Sequence, residues 1–222
     1  MWNYRKKGDS KNMRKPYDYK IYVCGFFQAG KTTLIHTLDP NAMSIDKPLK
    51  ELYRGEHATT TVGFDLGYLV WARPNTNSDG VIMSKSEYLT ERNEYEGWET
   101  KVIEIKGCPG QLHFKDIREM VASGSDGVLF IIDSSDPNSI GNALILLEEC
   151  KCLLGENIPI VIIANKQDLD SAMSPEEVSN LINENTFGGS AKNNFGIKEA
   201  IIRLIKIIKG EINNEEKAIL NI

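Results

Sequence analysis

The stretch that most constrains this chain is Gly25-Phe26-Phe27-Gln28-Ala29-Gly30-Lys31-Thr32. It is a G-x-x-x-x-G-K-T segment lying between an apolar, β-branched run, Tyr19 to Cys24, and a stretch of helical pattern, Lys31 to Leu38. At such a junction glycines let successive backbone N–H groups turn inward around phosphate oxygens, and the N-terminus of the following helix adds its positive end. Gly25, Gln28, Ala29, Gly30 and Thr33 form the expected cradle. Lys31 is placed to reach the outer phosphates, and Thr32 to offer its hydroxyl to Mg²⁺. The competing reading, a chance glycine-rich turn, does not account for a strand before the segment and a helix after it.

Further apolar runs at Gly127 to Ile132 and Ile158 to Ala164 alternate with amphipathic stretches of helical length, the pattern of a parallel sheet wrapped by helices. Two helix starts are chemically legible. Asp136 precedes Pro137, and Ser174 precedes Pro175 with Glu177 completing a capping box. The last helix is expected from Gly196 to Lys209, with isoleucines and Leu204 on a broad buried face. Strands near Val62 to Trp71 and Thr100 to Ile105 are expected to pair antiparallel. The 73–99 stretch between them is too long for a hairpin turn and reads as an insertion. Its Asn-Thr-Asn-Ser-Asp-Gly run favours a disordered loop over a partner-binding appendage. The expected organisation is a basic arm at 1–18, one α/β domain at 19–209 with a mostly parallel six-stranded sheet and helices on both faces, and a tail at 210–222.

A phosphate loop fits ATP or GTP, so the base must be decided elsewhere. Asn165-Lys166-Gln167-Asp168 follows directly on the strand Ile158 to Ala164, at the carboxyl end where open α/β sheets bind ligands. The Asp168 carboxylate can accept from both the ring N–H and the exocyclic amine of guanine, a pair of donors adenine lacks. Ser190-Ala191-Lys192, just before the last helix, supplies a loop in which the Ala191 N–H is within reach of the guanine oxygen.

Together with Thr61 in Thr59-Thr60-Thr61-Val62-Gly63-Phe64-Asp65 and with Pro109-Gly110-Gln111, these segments resemble the five motifs of Ras-like small GTPases, over about Tyr19 to Lys209. Lys31-Thr32-Thr33 and Thr61-Val62-Gly63-Phe64 are similar to the Arf branch, whereas Gly107-Cys108-Pro109-Gly110-Gln111 looks more like the prokaryotic, MglA-related GTPases. The resemblance implies a P-loop GTPase fold and a cycle between GTP and GDP with Mg²⁺. Thr61 would bond the metal and the γ-phosphate, Gly110 and Gln111 would rearrange when that phosphate leaves, and Gln111 would orient the attacking water. It further implies effector, activating and exchange proteins as partners. A rival of another class is a non-catalytic GTP-binding adaptor that holds nucleotide as a structural ligand.

Two departures from the family pattern bear on efficiency. The usual aspartate at the end of the third strand is Gly107 here, which leaves Mg²⁺ without that support. Asp65 shares side-chain parity with Thr61 on a strand neighbouring the one that ends at Gly107, so it is either the substitute or a solvent-facing strand residue. Phe27 and Gln28 stand where Ras proteins carry glycine, which points to slow intrinsic hydrolysis. Arg54, upstream of Thr61, is a candidate for assisting hydrolysis in cis, against the simpler reading of a solvated loop arginine.

Composition narrows the remaining classes. A net charge of −5 argues against general nucleic-acid binding, which needs a basic footprint. The charge is uneven, because residues 1–20 carry seven Lys or Arg against two Asp. That arm reads as a solvated extension, with contact to an anionic membrane or acidic partner as the alternative. No apolar run is long enough to span a membrane, and neither a second-residue glycine nor a terminal cysteine offers a lipid attachment point, so a cytoplasmic protein is expected. The four cysteines lack metal or disulfide spacing, and His36, His57 and His113 are scattered, which suggests core-edge or loop residues.

Overall fold

The computed structural model describes residues 15–48, 61–75, 77–110 and 114–212, with the side chains of 45–48 and 61–62 left out. Most of the basic arm, the 49–60 segment with Arg54, Gln111 and the last ten residues lie outside the described residues. Four strands form the parallel centre: β1 (Tyr19–Cys24), β5 (Glu99–Gly107), β6 (Gly127–Asp133) and β7 (Ile160–Asn165). The sheet order is β2-β3-β5-β1-β6-β7-β8, where β2 is Met43–Pro48, β3 is Thr61–Arg73 and β8 is Thr186–Gly188, and a further strand, β4 (Val81–Ser84), pairs with β3. Among the described residues the sheet therefore has eight strands, against the six expected. The additional ones are short or follow polar sequence, so they carry little apolar periodicity of their own.

Residue parity separates the two faces of the sheet. Ile21, Val23, Leu69, Trp71, Ile103, Ile105, Leu129 and Ile131 point to one core, closed by α1 (Lys31–Leu38) and α6 (Ile197–Ile208). Tyr22, Cys24, Val128, Phe130, Ile132 and Ile162 point to the other, closed by α3 (Lys115–Ala122), α4 (Ile140–Leu154) and α5 (Pro175–Ile182). The isoleucine pattern of α6 buries Ile197, Ile201, Leu204 and Ile205 as its spacing requires. Ser174 and Glu177 form the capping box of α5, and Asp136 caps the 3-10 turn before α4.

β3 carries the antiparallel edge. Residues 65–73 pair with β5, while its outer side is shared by β2, along 61–66, and β4, along 69–72. Between these two partners the Tyr68 N–H is taken by Asp39 Oδ2 at 2.8 Å, so the buried Asp39 at the end of α1 closes the gap in the ladder.

The 73–99 insertion is ordered where it is described, contrary to the disordered loop that its composition favoured. β4 leads into α2 (Lys85–Thr90), whose start is a complete Ser84/Glu87 capping box, and a 3-10 turn follows at Arg92–Tyr95. Tyr88, Tyr95 and Trp98 pack over Val70, Ala72 and Met83, with Tyr95 and Trp98 edge to face at 5.2 Å. Both ends are tied down by charge. Arg73 pairs with Glu99 and, through two bonds, with Glu211, while Lys209 reaches the same two carboxylates and lies over the Trp71 ring. The turn-rich run marks only the tip. Ser84-x-x-Glu87 is the sequence signal that was available for the helix.

Candidate functional site

The segment 25–30 leaves β1 and turns into α1 around a cleft of about 600 Å³ at the carboxyl end of the sheet. Gly30 has φ 101°, and a Cβ there would lie 2.4 Å from Asn165 Nδ2, so both conformation and space demand glycine. Gln28 also adopts positive φ, 62°. Lys31 is buried, and its ammonium donates to the Gly25 and Phe26 carbonyls at 2.8 Å each. Burial pulls the Lys31 pKa below its usual range, with the neighbouring Cys108, Cys24 and Asp65 opposing the shift. A cation desolvated in this way gains strongly from an incoming phosphate anion. Gln28, Gly30, Lys31, Thr32, Thr33, Asp65 and Gly110 all line the cleft, and Phe27 stands half-exposed at its rim.

The second half of the site is a strap built on Asn165. Its Nδ2 donates to the Ala29 carbonyl at 2.7 Å, and its Oδ1 accepts from the Ala191 N–H at 2.8 Å. One buried side chain thus joins the turn before α1 to the loop before α6. Ser190 Oγ donates to Asp168 Oδ1 at 2.6 Å, orienting an otherwise exposed carboxylate. That bond is the main cause holding the Asp168 pKa below the usual carboxylate range, aided by Lys192 and Lys166. Lys166 pairs with the buried Asp133 at 2.5 Å, and Lys192 is exposed nearby.

Asp65 faces the phosphate-loop side. It is paired in register with Gly107, and Thr32 Oγ1 donates to its Oδ2 at 2.6 Å. A side chain at 107 would meet Ile35 Cδ1 at 2.7 Å, with the Asp65 carboxylate at 3.6 Å. The aspartate on β3 therefore lies in contact with the position at the end of β5 where a side chain at 107 would begin, while Ile35 fills the space itself. A hydroxyl and a carboxylate beside a phosphate cradle are a hard-oxygen donor set that suits Mg²⁺, so these residues fit the ion.

Thr61 is not brought to that point. Its backbone opens β3 in register with Pro48, and four residues of strand separate it from Asp65, about 13 Å at 3.3 Å per residue. Its side chain, Arg54 and Gln111 are outside the described residues. Sequence reasoning passed over Asp133, which engages Lys166, and Ser44, which stands behind Asp65; His36, read as a core-edge or loop residue, lies on α1 beside Ser44. It also passed over Arg118, which is buried and bonded through two nitrogens to Glu149. None of these carries a local motif. The cysteines are free, and Cys24, Cys108 and Cys150 lie together in the α4-side core, where Tyr22 Oη and Cys108 Sγ are 2.8 Å apart. No described helix is long and apolar enough to cross a membrane.

The profile of the Ras family matches residues 83–210. The chain is similar to the Ras-related protein RabZ of Dictyostelium discoideum, 32% identical over 123 residues, 47% of this chain and 52% of that protein. It is similar over more of its length to RabC of the same organism, 22% identical across 90% of this chain and 88% of that one. The mutual gliding-motility protein MglA of Myxococcus xanthus is 28% identical over 54% of this chain and 65% of that protein. The chain thus spans about half the length of RabZ, and 38% of the ADP-ribosylation factor-like protein 6 of Caenorhabditis elegans. Rab, Arf-like and MglA proteins all appear among the relatives, and none of these branches is singled out.

Proposed function

The chain belongs to the Ras family, and from that premise we propose that it is a guanine-nucleotide switch that binds GTP and GDP with Mg²⁺ and hydrolyses GTP slowly. The observation that carries this reading is the Asn165 strap, which holds the phosphate loop and the Ser190-Ala191-Lys192 loop in one buried unit. Such preorganisation lowers the ordering cost of binding. The Asp168 carboxylate, oriented by Ser190, accepts from the guanine ring N–H and amine. The Ala191 N–H, the third element of base recognition, is the strap's own donor to Asn165 Oδ1, and it reaches the guanine oxygen by sharing or leaving that bond.

Lys31 exchanges its two carbonyl partners for phosphate oxygens when nucleotide enters, which relieves the burial of its charge. Thr32 and Asp65 would hold Mg²⁺, whose chemistry is to neutralise charge on the β- and γ-phosphates. Asp65 thereby takes the part of the carboxylate absent at Gly107. Gln111 orients the water that attacks the γ-phosphoryl group, and Arg54 supplies positive charge to the transition state. Thr61 joins the site in the GTP state. Because it stands in the β2–β3 ladder about 13 Å of strand from Asp65, that engagement requires residues 61–64 to leave β2. Phe27 at the rim crowds the water-positioning space and keeps intrinsic turnover low. The chain acts in the cytoplasm through effector, activating and exchange proteins.

Protein preloaded with GTP and Mg²⁺ is denatured at intervals and its nucleotide resolved chromatographically. GDP accumulates, and Gln111→Leu abolishes that accumulation. Persistent GTP in the parent, with and without an added arginine-bearing activator, would overturn the hydrolytic part and leave a static GTP-bound adaptor.

A further inference from the structure

We propose that Ser44 is a positioning residue for the magnesium site, acting through Asp65 and backed by His36. The proposal rests on the reading of Asp65 given above. Register places Ser44 of β2 opposite Asp65 of β3, and Asp65 opposite Gly107 of β5, so three neighbouring strands set serine, carboxylate and glycine in one row. Ser44 Oγ donates to Asp65 Oδ1 at 2.6 Å, while Thr32 Oγ1 donates to Asp65 Oδ2 at 2.6 Å. The two carboxylate oxygens are thus divided between an outer partner and the phosphate-loop threonine.

A serine hydroxyl has one hydrogen, and here it goes to Asp65. The 3.1 Å contact between His36 Nε2 and Ser44 Oγ therefore has the imidazole N–H donating to the serine. His36 Nε2 is 3.7 Å from Asp65 Oδ1, beyond a hydrogen bond, and so reaches the carboxylate through Ser44. An aspartate χ2 is soft and broadly distributed. With Oδ1 held, Oδ2 stays on Thr32. With Ser44 removed, the carboxylate turns toward His36, and Thr32 loses the acceptor that aims its oxygen into the cleft. Outer partners of this kind typically change metal affinity by 10–100-fold. Ser44 is exposed on an edge strand and belongs to none of the hydrophobic clusters, so its loss leaves the core intact.

The test loads the full chain with a fluorescent GDP and follows its release across free Mg²⁺, from chelated to millimolar. Ser44→Ala is expected to raise the Mg²⁺ needed for half-maximal retention by about tenfold, with release at saturating Mg²⁺ unchanged. Ser44→Thr restores the parent profile, and Ser44→Ala adds nothing in an Asp65→Ala background. A Ser44→Ala profile that overlays the parent while Asp65→Ala shifts would sink the role of Ser44 alone. Faster release by the same factor at every Mg²⁺ concentration would make Ser44 a structural residue of β2. No shift for Asp65→Ala would remove the Asp65 reading and this one with it.

Discussion

Replacing Asp65 by alanine removes the acceptor of two 2.6 Å hydrogen bonds, from Thr32 and from Ser44, and the carboxylate nearest to Gly107 in the sheet register. If this carboxylate supports Mg²⁺, its loss costs the 10–100-fold in affinity typical of such partners, about 1.4 to 2.8 kcal/mol at 1.4 kcal/mol per tenfold. The fold itself has less at stake, because the hydroxyls of Thr32 and Ser44 lie on exposed residues and bond water instead. A loss of roughly 1 kcal/mol lowers the thermal midpoint by only about 2–4 °C in a domain of this size. The assay is the same Mg²⁺-dependent release of fluorescent GDP, read beside a thermal melt. An unchanged Mg²⁺ midpoint would refute the argument, whatever the melt shows. A stricter form is the exchange Asp65→Gly with Gly107→Asp, which moves the carboxylate back across one strand. Partial recovery is expected, limited by Ile35, whose Cδ1 lies 2.7 Å from the new Cβ, and Ile35→Val should improve it.

Arg118→Ala leaves Glu149 without its buried, doubly bonded guanidinium, and breaking such a pair costs about 3–5 kcal/mol in denaturant unfolding, against a much smaller loss for the volume-matched pair Arg118→Met with Glu149→Leu. Asn165→Ala cuts both bonds of the strap, which predicts a stability loss of about 2–4 kcal/mol from two buried partners left unpaired, together with weaker guanine-nucleotide binding by fluorescence titration. The lowered pKa of Asp168 means that its ionised form persists below the ordinary 3.8 and is lost only as pH falls through the depressed value. Ser190→Ala removes the main cause of that depression, so the acid limb of GDP affinity should move to higher pH; superimposed limbs would show that Ser190 does not tune Asp168.

What the chain declares locally, it declares in contiguous peptide. The phosphate loop between strand and helix, Asn165-Lys166-Gln167-Asp168 at a strand end, the Ser174 and Asp136 caps and the isoleucine face of α6 each depend on neighbours within a few residues, and so were legible. Asp65 was half-legible, because parity and a neighbouring strand end raised it as one of two readings, while its partners Thr32 and Ser44 come from tertiary packing. The order within the insertion was not legible because its turn-rich tip outweighs the capping box at Ser84 and three aromatic residues whose burial needs Val70 and Ala72 beneath them. Ser44 against Asp65, Arg118 against Glu149, and Arg73 against Glu211 join residues 21, 31 and 138 positions apart. Composition and periodicity specify which faces are apolar. Which polar groups meet across them is set by strand register and helix packing, where a shift of one residue would turn each side chain to the opposite face.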